Sequence, residues 1–240
     1  MIRLGEVGLF KSGIEAISSF IPEGNFRFNE KGLHFRAIDP SQIVLVDYFV
    51  GRSVFESFDI EPSFVGINLS ELNKIISRAL PKDKVSLDLD DSEMSIEFTG
   101  ELYRKFRLPL IDVSEEEQRL PETDYDAVVE INSRVFREAL KDASLFSSSI
   151  MLKTSGNEFL LESKGTAGNL NANSSQAKDV KVKSKSDVVS KYSLTYLQNI
   201  VKEADPDSQI KIEMKSDSPM KVSYNIGKSE LKFYLAHMLL

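Results

Sequence analysis

Apolar positions along this chain fall into two rhythms. Around residues 8–20, Phe10, Ile14, Ile17 and Ile21 recur at helical spacing, which gives a helix one apolar face to bury. The same period returns at Leu72, Ile75, Ile76 and Ala79. A helix is predicted there from about Ser70, with Glu71 in its first turn, where negative charge suits the helix dipole, and Pro81 as its stop. Two more helices are predicted near 133–146 (Phe136, Ala139, Leu140, Ala143) and near 193–204 (Leu194, Leu197, Ile200, Val201, Ala204). Between them lie short β-rich segments, many alternating, that read as strands. In the first half these are Phe26–Phe28, Gly32–Ala37, Ile43–Val50, Val85–Leu89, Met94–Phe98 and Leu102–Leu110. In the second they are Glu158–Ser163, Val180–Lys185, Gln209–Met214, Lys221–Tyr224 and Leu231–Leu235. Asp39-Pro40-Ser41 and Asp90-Asp91-Ser92 are turn signals. Gly165–Gln176, small and polar, reads as a mobile loop.

The order helix, strands, helix, strands occurs twice, and so does the sequence beneath it. Leu9-Phe10-Lys11-Ser12-Gly13-Ile14 matches Val135-Phe136-Arg137-Glu138-Ala139-Leu140 in polarity. Leu72-Asn73-Lys74-Ile75-Ile76 through Pro81 matches Leu197-Gln198-Asn199-Ile200-Val201 through Pro206. Lys105-Phe106-Arg107-Leu108 and Lys232-Phe233-Tyr234-Leu235 end the two halves. A repeat that spans half of 240 residues is too long for a solenoid and indicates a duplicated domain. The predicted class is α+β, two duplicated domains, each with two helices packed on antiparallel sheet. Domain boundaries are expected at 1–111 and 127–240, joined by a connector over 112–126.

Charge sharpens this picture. The net charge is -7, yet residues 112–126 alone hold seven acids against one base, a net of -6. Such a stretch, with Pro121 inside it, stays extended by self-repulsion and forms an acidic strap that partners can grip through Leu120 and Tyr125. There is no cysteine and there are only two histidines, His34 and His237, so thiolate metal sites, disulfides and His-based catalysis are poorly supplied. No Walker loop, GxGxxG or HExxH is present. No membrane span or signal-peptide layout is seen, which suits an intracellular setting. The expectation is a protein without catalytic residues, cofactor or metal.

Basic residues collect on the helices of both halves. Arg134, Arg137 and Lys141 share one side of their helix, roughly opposite the apolar face. Lys74 and Arg78 lie one turn apart, and Lys11 and Lys202 are the outward bases of the other two helices. These seven form a weakly positive floor suited to phosphates and without any base-reading motif.

Taken together, the chain resembles the DNA sliding clamps of the proliferating cell nuclear antigen family, in their archaeal form. The segment Gly32-Leu33-His34-Phe35-Arg36-Ala37-Ile38-Asp39-Pro40-Ser41-Gln42-Ile43-Val44-Leu45 carries the resemblance best. Leu120-Pro121 through Tyr125, Ser218-Pro219 and Lys232-Phe233-Tyr234-Leu235-Ala236 support it. The resemblance implies the DNA-clamp fold, a trimeric pseudo-sixfold ring with helices lining a hole through which duplex DNA threads, and a processivity factor that tethers enzymes without doing chemistry. It implies partners: identical or sister clamp subunits, DNA polymerase, flap endonuclease, DNA ligase and a clamp loader, acting in DNA replication and repair on the chromosome, in the cytoplasm of an archaeal cell. It also implies a pocket for a partner's short helical turn (the PIP-box). Carried over by position, that pocket is Ile38, Gln42, Ile43, Leu45, Leu120, Pro121, Tyr125, Pro219, Tyr234, Leu235, Ala236 and His237. Gln42 replaces the family's usual His, and His237 stands where Pro is usual. A homotrimer and a ring of different sister chains both fit.

The interface strands implied are Leu102–Leu110 (Leu102, Arg104, Phe106, Leu108) and Lys178–Lys185 (Lys178, Val180, Val182, Lys183). Pairing them sets base against base, because Arg104, Lys105 and Arg107 would face Lys181, Lys183 and Lys185. Two other readings compete. One is a checkpoint-type clamp subunit; the other is a metal-dependent hydrolase built on Asp90, Asp91 and Glu93.

Overall fold

The structure, a computed structural model, describes residues 1–113 and 118–239. The chain divides into two compact units, Met1–Arg119 with Ile226–Leu231, and Leu120–Asn225 with Lys232–Leu240.

The first unit runs β1 (Ile2–Leu4), α1 (Val7–Ser18), β2 (Glu23–Asn29), β3 (Gly32–Ile38), β4 (Val44–Gly51), β5 (Phe55–Phe58), β6 (Ser63–Asn68), α2 (Leu69–Ile76), β7 (Lys84–Leu89), β8 (Glu93–Thr99) and β9 (Tyr103–Pro109). One antiparallel sheet has the order β5-β1-β7-β8-β9. Strands β4, β3, β2 and β6 are antiparallel neighbours in that order. Alternation puts Phe26, Phe28 and Phe35 on the inner side, where Phe26 meets both other rings edge-on. Helix α1 buries Phe10, Ile14 and Ile17 and packs against α2, which buries Leu69, Leu72 and Ile76. Glycine is required within α1. A Cβ on Gly13 would lie 2.2 Å from the hydroxyl oxygen of the fully buried Tyr48.

The second unit repeats the plan: β10 (Ala127–Asn132), α3 (Ser133–Ser144), β11 (Ser149–Ser155), β12 (Glu158–Gly165), β13 (Gly168–Asn173), β14 (Lys181–Ser184), β15 (Val188–Ser193), α4 (Leu194–Val201), β16 (Gln209–Met214), β17 (Met220–Ile226) and β18 (Ser229–Leu235). One antiparallel sheet has the order β13-β12-β11-β15. Strands β14, β10, β16 and β17 are antiparallel neighbours. Phe136, Leu140 and Ala143 of α3 are buried, and α3 packs on α4.

Several expectations change. The second helix begins at Leu69, because the Asn68 side chain caps it by accepting from the Glu71 N–H at 2.9 Å. Asn132 caps α3 in the same way, accepting from the N–H groups of Arg134 and Val135. Gly165–Gln176 is not a loop throughout, since Gly168–Asn173 forms β13, held by backbone pairing to β12. Lys178 and Val180 fall outside β14, and Leu102 falls just outside β9. Strands β1, β5, β6, β10, β11 and β15 were not anticipated.

Candidate functional site: basic helix faces, apolar pockets and free strand edges

Helical periodicity brings Arg134, Arg137, Glu138 and Lys141 of α3 to the rim of a groove in the second unit. Gln198, Lys202 and Pro206 form the other side, with Leu140 and Val201 beneath. The groove encloses about 480 Å³. Its cations are mostly matched: Arg134 pairs with Asp207 at 2.7 Å, Lys141 with Glu138 at 2.7 Å and Lys202 with Glu203 at 3.5 Å. Arg137 donates to the Lys202 carbonyl at 3.1 Å. In the first unit Lys74 pairs with Glu71 at 2.7 Å, Arg78 is exposed, and Lys11 is half-buried. Exposed pairs of this kind are worth at most about 1 kcal/mol, so phosphates can displace the carboxylates at low cost.

The residues expected to face partner peptides divide between the units. In the first, Asp39 is only 4% exposed and organises the turn between β3 and β4. Its carboxylate accepts from the N–H groups of Ser41 (3.1 Å), Ile43 (2.6 Å) and Val44 (2.7 Å). The turn holds Gln42 exposed at φ +58°, a left-handed conformation costly for a non-glycine residue. Ile38 is exposed and Ile43 half-buried, whereas Leu45 is a core residue. In the second unit Leu120, Pro121, Tyr125, Pro219, Ala236 and His237 are half-buried, and Tyr234 and Leu235 are buried. Burial, with Tyr234 nearby, pushes the Tyr125 hydroxyl up to about 12. Leu45 and Leu235 therefore support their surroundings from beneath and offer little surface.

In the first unit, β3 and β4 also carry a charged cluster that periodicity does not announce. Asp47 on β4 sits opposite Arg36 on β3. Its carboxylate is held by His34 Nε2 at 2.7 Å and Arg36 Nε at 2.8 Å. Burial alone would raise the Asp47 pKa, but the bonds from His34 and Arg36 reverse this and leave it below the ordinary aspartate value.

Free strand edges supply the third feature. Among the described residues β9 bonds only to β8 within its sheet; its first residue, Tyr103, is 62% exposed and Leu102 just before it 72%. Each of its bases has an acid within the same unit. Arg104 pairs with the buried Asp83 and lies over the Phe98 ring, Lys105 pairs with Glu97, and Arg107 with Glu93. Phe106 packs on Phe98, and Leu108 is buried. Register makes this balance: Lys105 faces Glu97 across β8 and β9. In the second unit β14 carries Lys181 and Lys183 outward and Val182 half-buried. β13 is a second edge, reading Gly-Asn-Leu-Asn-Ala-Asn with no charge at all.

The acidic hairpin considered for hydrolysis has two of its three carboxylates committed. Asp90 accepts from the N–H groups of Ser92 and Glu93, which holds its pKa down, and Glu93 pairs with Arg107. Among the described residues no group of three or more His, Cys, Asp or Glu is placed to hold a metal. Among the described residues no helix is long and apolar enough to cross a membrane.

Two family models match in order along the chain. That for the proliferating cell nuclear antigen N-terminal domain covers residues 1–116, and that for its C-terminal domain covers 119–238. A DNA polymerase sliding clamp of Methanococcus vannielii is 34% identical over 234 residues, 95% of this chain and 94% of the relative. DNA polymerase sliding clamp 1 of Thermococcus kodakarensis is also 34% identical, over 95% of this chain and 93% of the relative. The crystal structure of the nuclear antigen from Entamoeba histolytica superposes with a TM-score of 0.90 at 26% identity, covering 99% of this chain and 98% of the other. That from Thermococcus kodakaraensis gives 0.93 at 23% identity, with 99% of both chains covered.

Proposed function

We infer the function from this premise: the chain belongs to the proliferating cell nuclear antigen family, and it is a DNA sliding clamp subunit. The carrying observation is that both clamp domains match, in order, over nearly the whole chain. A sliding clamp is a non-catalytic processivity factor. It works by topology: a closed ring keeps a polymerase at the template by raising its local concentration there. Its lining should hold phosphates weakly, because a tight grip would stop sliding. Arg134, Arg137, Lys141 and Lys202, mostly balanced by neighbouring carboxylates, suit that requirement, and Lys11, Lys74 and Arg78 extend it in the first unit.

The partners are duplex DNA, DNA polymerase and further clamp subunits, with flap endonuclease, ligase and a clamp loader as the remaining members. The protein acts inside the cell, on the chromosome. For ring closure, β9 pairs more readily with β13 of a neighbouring subunit than with the Lys178–Lys185 region. β13 adds no charge to a strand bearing Arg104, Lys105 and Arg107, whereas β14 adds Lys181 and Lys183.

The test is DNA affinity against salt, measured with closed rings on circular duplex. The slope of log K against log salt falls by about 0.9 for each phosphate contact removed. Arg137→Ala with Lys141→Ala should therefore lower it by about 1–2, and processive synthesis on primed circular DNA should drop while ring mass is unchanged. An unaltered slope refutes the lining assignment. A mass three times that of the chain alone identifies a homotrimer; assembly only with sister chains identifies a mixed ring.

A further inference from the structure

Arg36 spans two elements. Its Nε bonds to Asp47 Oδ1 at 2.8 Å, and the same oxygen lies 2.7 Å from His34 Nε2. Because the guanidinium is a rigid planar fork, fixing Nε also fixes where the terminal nitrogens point. Nη1 then lies 3.4 Å from the Gln118 carbonyl oxygen. The Arg36 and Asp47 side chains are only 19% and 9% exposed. Gln118 immediately precedes Arg119-Leu120-Pro121 of the acidic strap.

We propose that Arg36 is a positioning residue that pins the strap at Gln118, with Asp47 and His34 setting the direction of its guanidinium. The consequence for partner binding rests on the clamp reading above, but the pin itself does not. Further along the strap Lys185 pairs with Asp124 at 2.8 Å, where both side chains are exposed, 64% and 85%. A pair so open is weak and screened by salt. The Arg36 tie is shielded and aimed at a backbone carbonyl, so it holds whatever side chain occupies position 118 and persists in high salt. It holds the chain at Gln118, two positions before the apolar pair Leu120-Pro121 in sequence. A partner that engages that pair then meets a strap whose neighbouring backbone is already held.

Limited trypsin digestion of the assembled protein tests this, with mass spectrometry reading the cut after Arg119. Loss of a bond from a charged donor raises the released population, and cleavage follows that population when opening is fast. Arg36→Ala should speed the cut after Arg119 roughly five- to tenfold relative to cuts elsewhere, measured well below a melting temperature that itself falls because Asp47 loses an ion partner. Arg36→Lys, more conservative for folding, should also speed it, because lysine lacks the rigid fork that aims one nitrogen at Asp47 and another at the Gln118 carbonyl. Lys185→Ala should change it little, and high salt should leave the unaltered chain protected. A cut at the wild-type rate in folded Arg36→Ala and Arg36→Lys overturns the pin. Polymerase stimulation by the unaltered chain, measured alongside, reports on clamp function separately, so its absence is not read as failure of the pin.

Discussion

Asp39 offers the sharpest test of how this sequence builds the turn between β3 and β4. The carboxylate is 4% exposed and accepts three backbone N–H groups, at 3.1 Å from Ser41, 2.6 Å from Ile43 and 2.7 Å from Val44. In Asp39→Ala these donors lose their acceptor. Ser41 is exposed, and water replaces the lost bond; Ile43 is half-buried and Val44 fully buried. Leaving a buried donor unsatisfied costs about 1–3 kcal/mol, so the two together cost about 2–6 kcal/mol. Release of Gln42 from its left-handed backbone, φ +58°, returns about 1 kcal/mol or more. The net loss is then about 1–5 kcal/mol, and at roughly 2–4 °C per kcal/mol for a chain of this size the first thermal transition should fall clearly. Asp39→Asn keeps an oxygen acceptor at the same place and should lose less than half as much. Differential scanning calorimetry of the three proteins decides the matter. If Asp39→Ala melts within a degree of the unaltered chain, or Asp39→Asn is the worse of the two, the carboxylate does not organise the turn.

Two more predictions follow from the same first unit. Gly13→Ala should destabilise by about 1–3 kcal/mol in urea titrations despite alanine's better helix propensity, because the new methyl would sit 2.2 Å from the Tyr48 hydroxyl oxygen. Adding Tyr48→Phe should recover only part of this, since the ring carbon beneath that oxygen is still 2.6 Å away; full recovery would show that the oxygen alone makes the clash. For Asp47, whose folded pKa is depressed below its unfolded value, the stabilisation is in place above about pH 4 and is lost as the pH falls through the folded pKa. The stability gap between the unaltered chain and Asp47→Asn should thus narrow in acid, as Asp47 is protonated; a gap unchanged at about pH 3 contradicts the assigned ion cluster.

The helices were legible because an apolar stripe at 3.6-residue spacing must be buried, and Phe10, Ile14, Ile17 and Phe136, Leu140, Ala143 are buried as expected. Their starts were less legible, since Asn68 and Asn132 act as caps only once their side chains fold back on the first turn. β13 was hidden for a different reason. Gly-Asn-Leu-Asn-Ala-Asn has almost no apolar face, and its extended form comes from backbone bonds to β12, whose existence depends on residues elsewhere. Of the basic helix residues, the sequence supplied identity and face, but not the partner that Arg134 finds in Asp207, 73 positions away.

Local pattern alone therefore determined the helices, many of the strands, the duplication and the family, because hydrophobic period and residue order act over a few turns of chain. Tertiary structure alone decided which charges cancel and which polar groups cooperate. Lys105 finds Glu97 through strand register, Arg36 finds Gln118 across 82 positions, and Asp39 reads as a mere turn residue until folding buries it. Coulombic and hydrogen-bond energies depend on distance in space and on exclusion of water, and neither quantity is written along the chain.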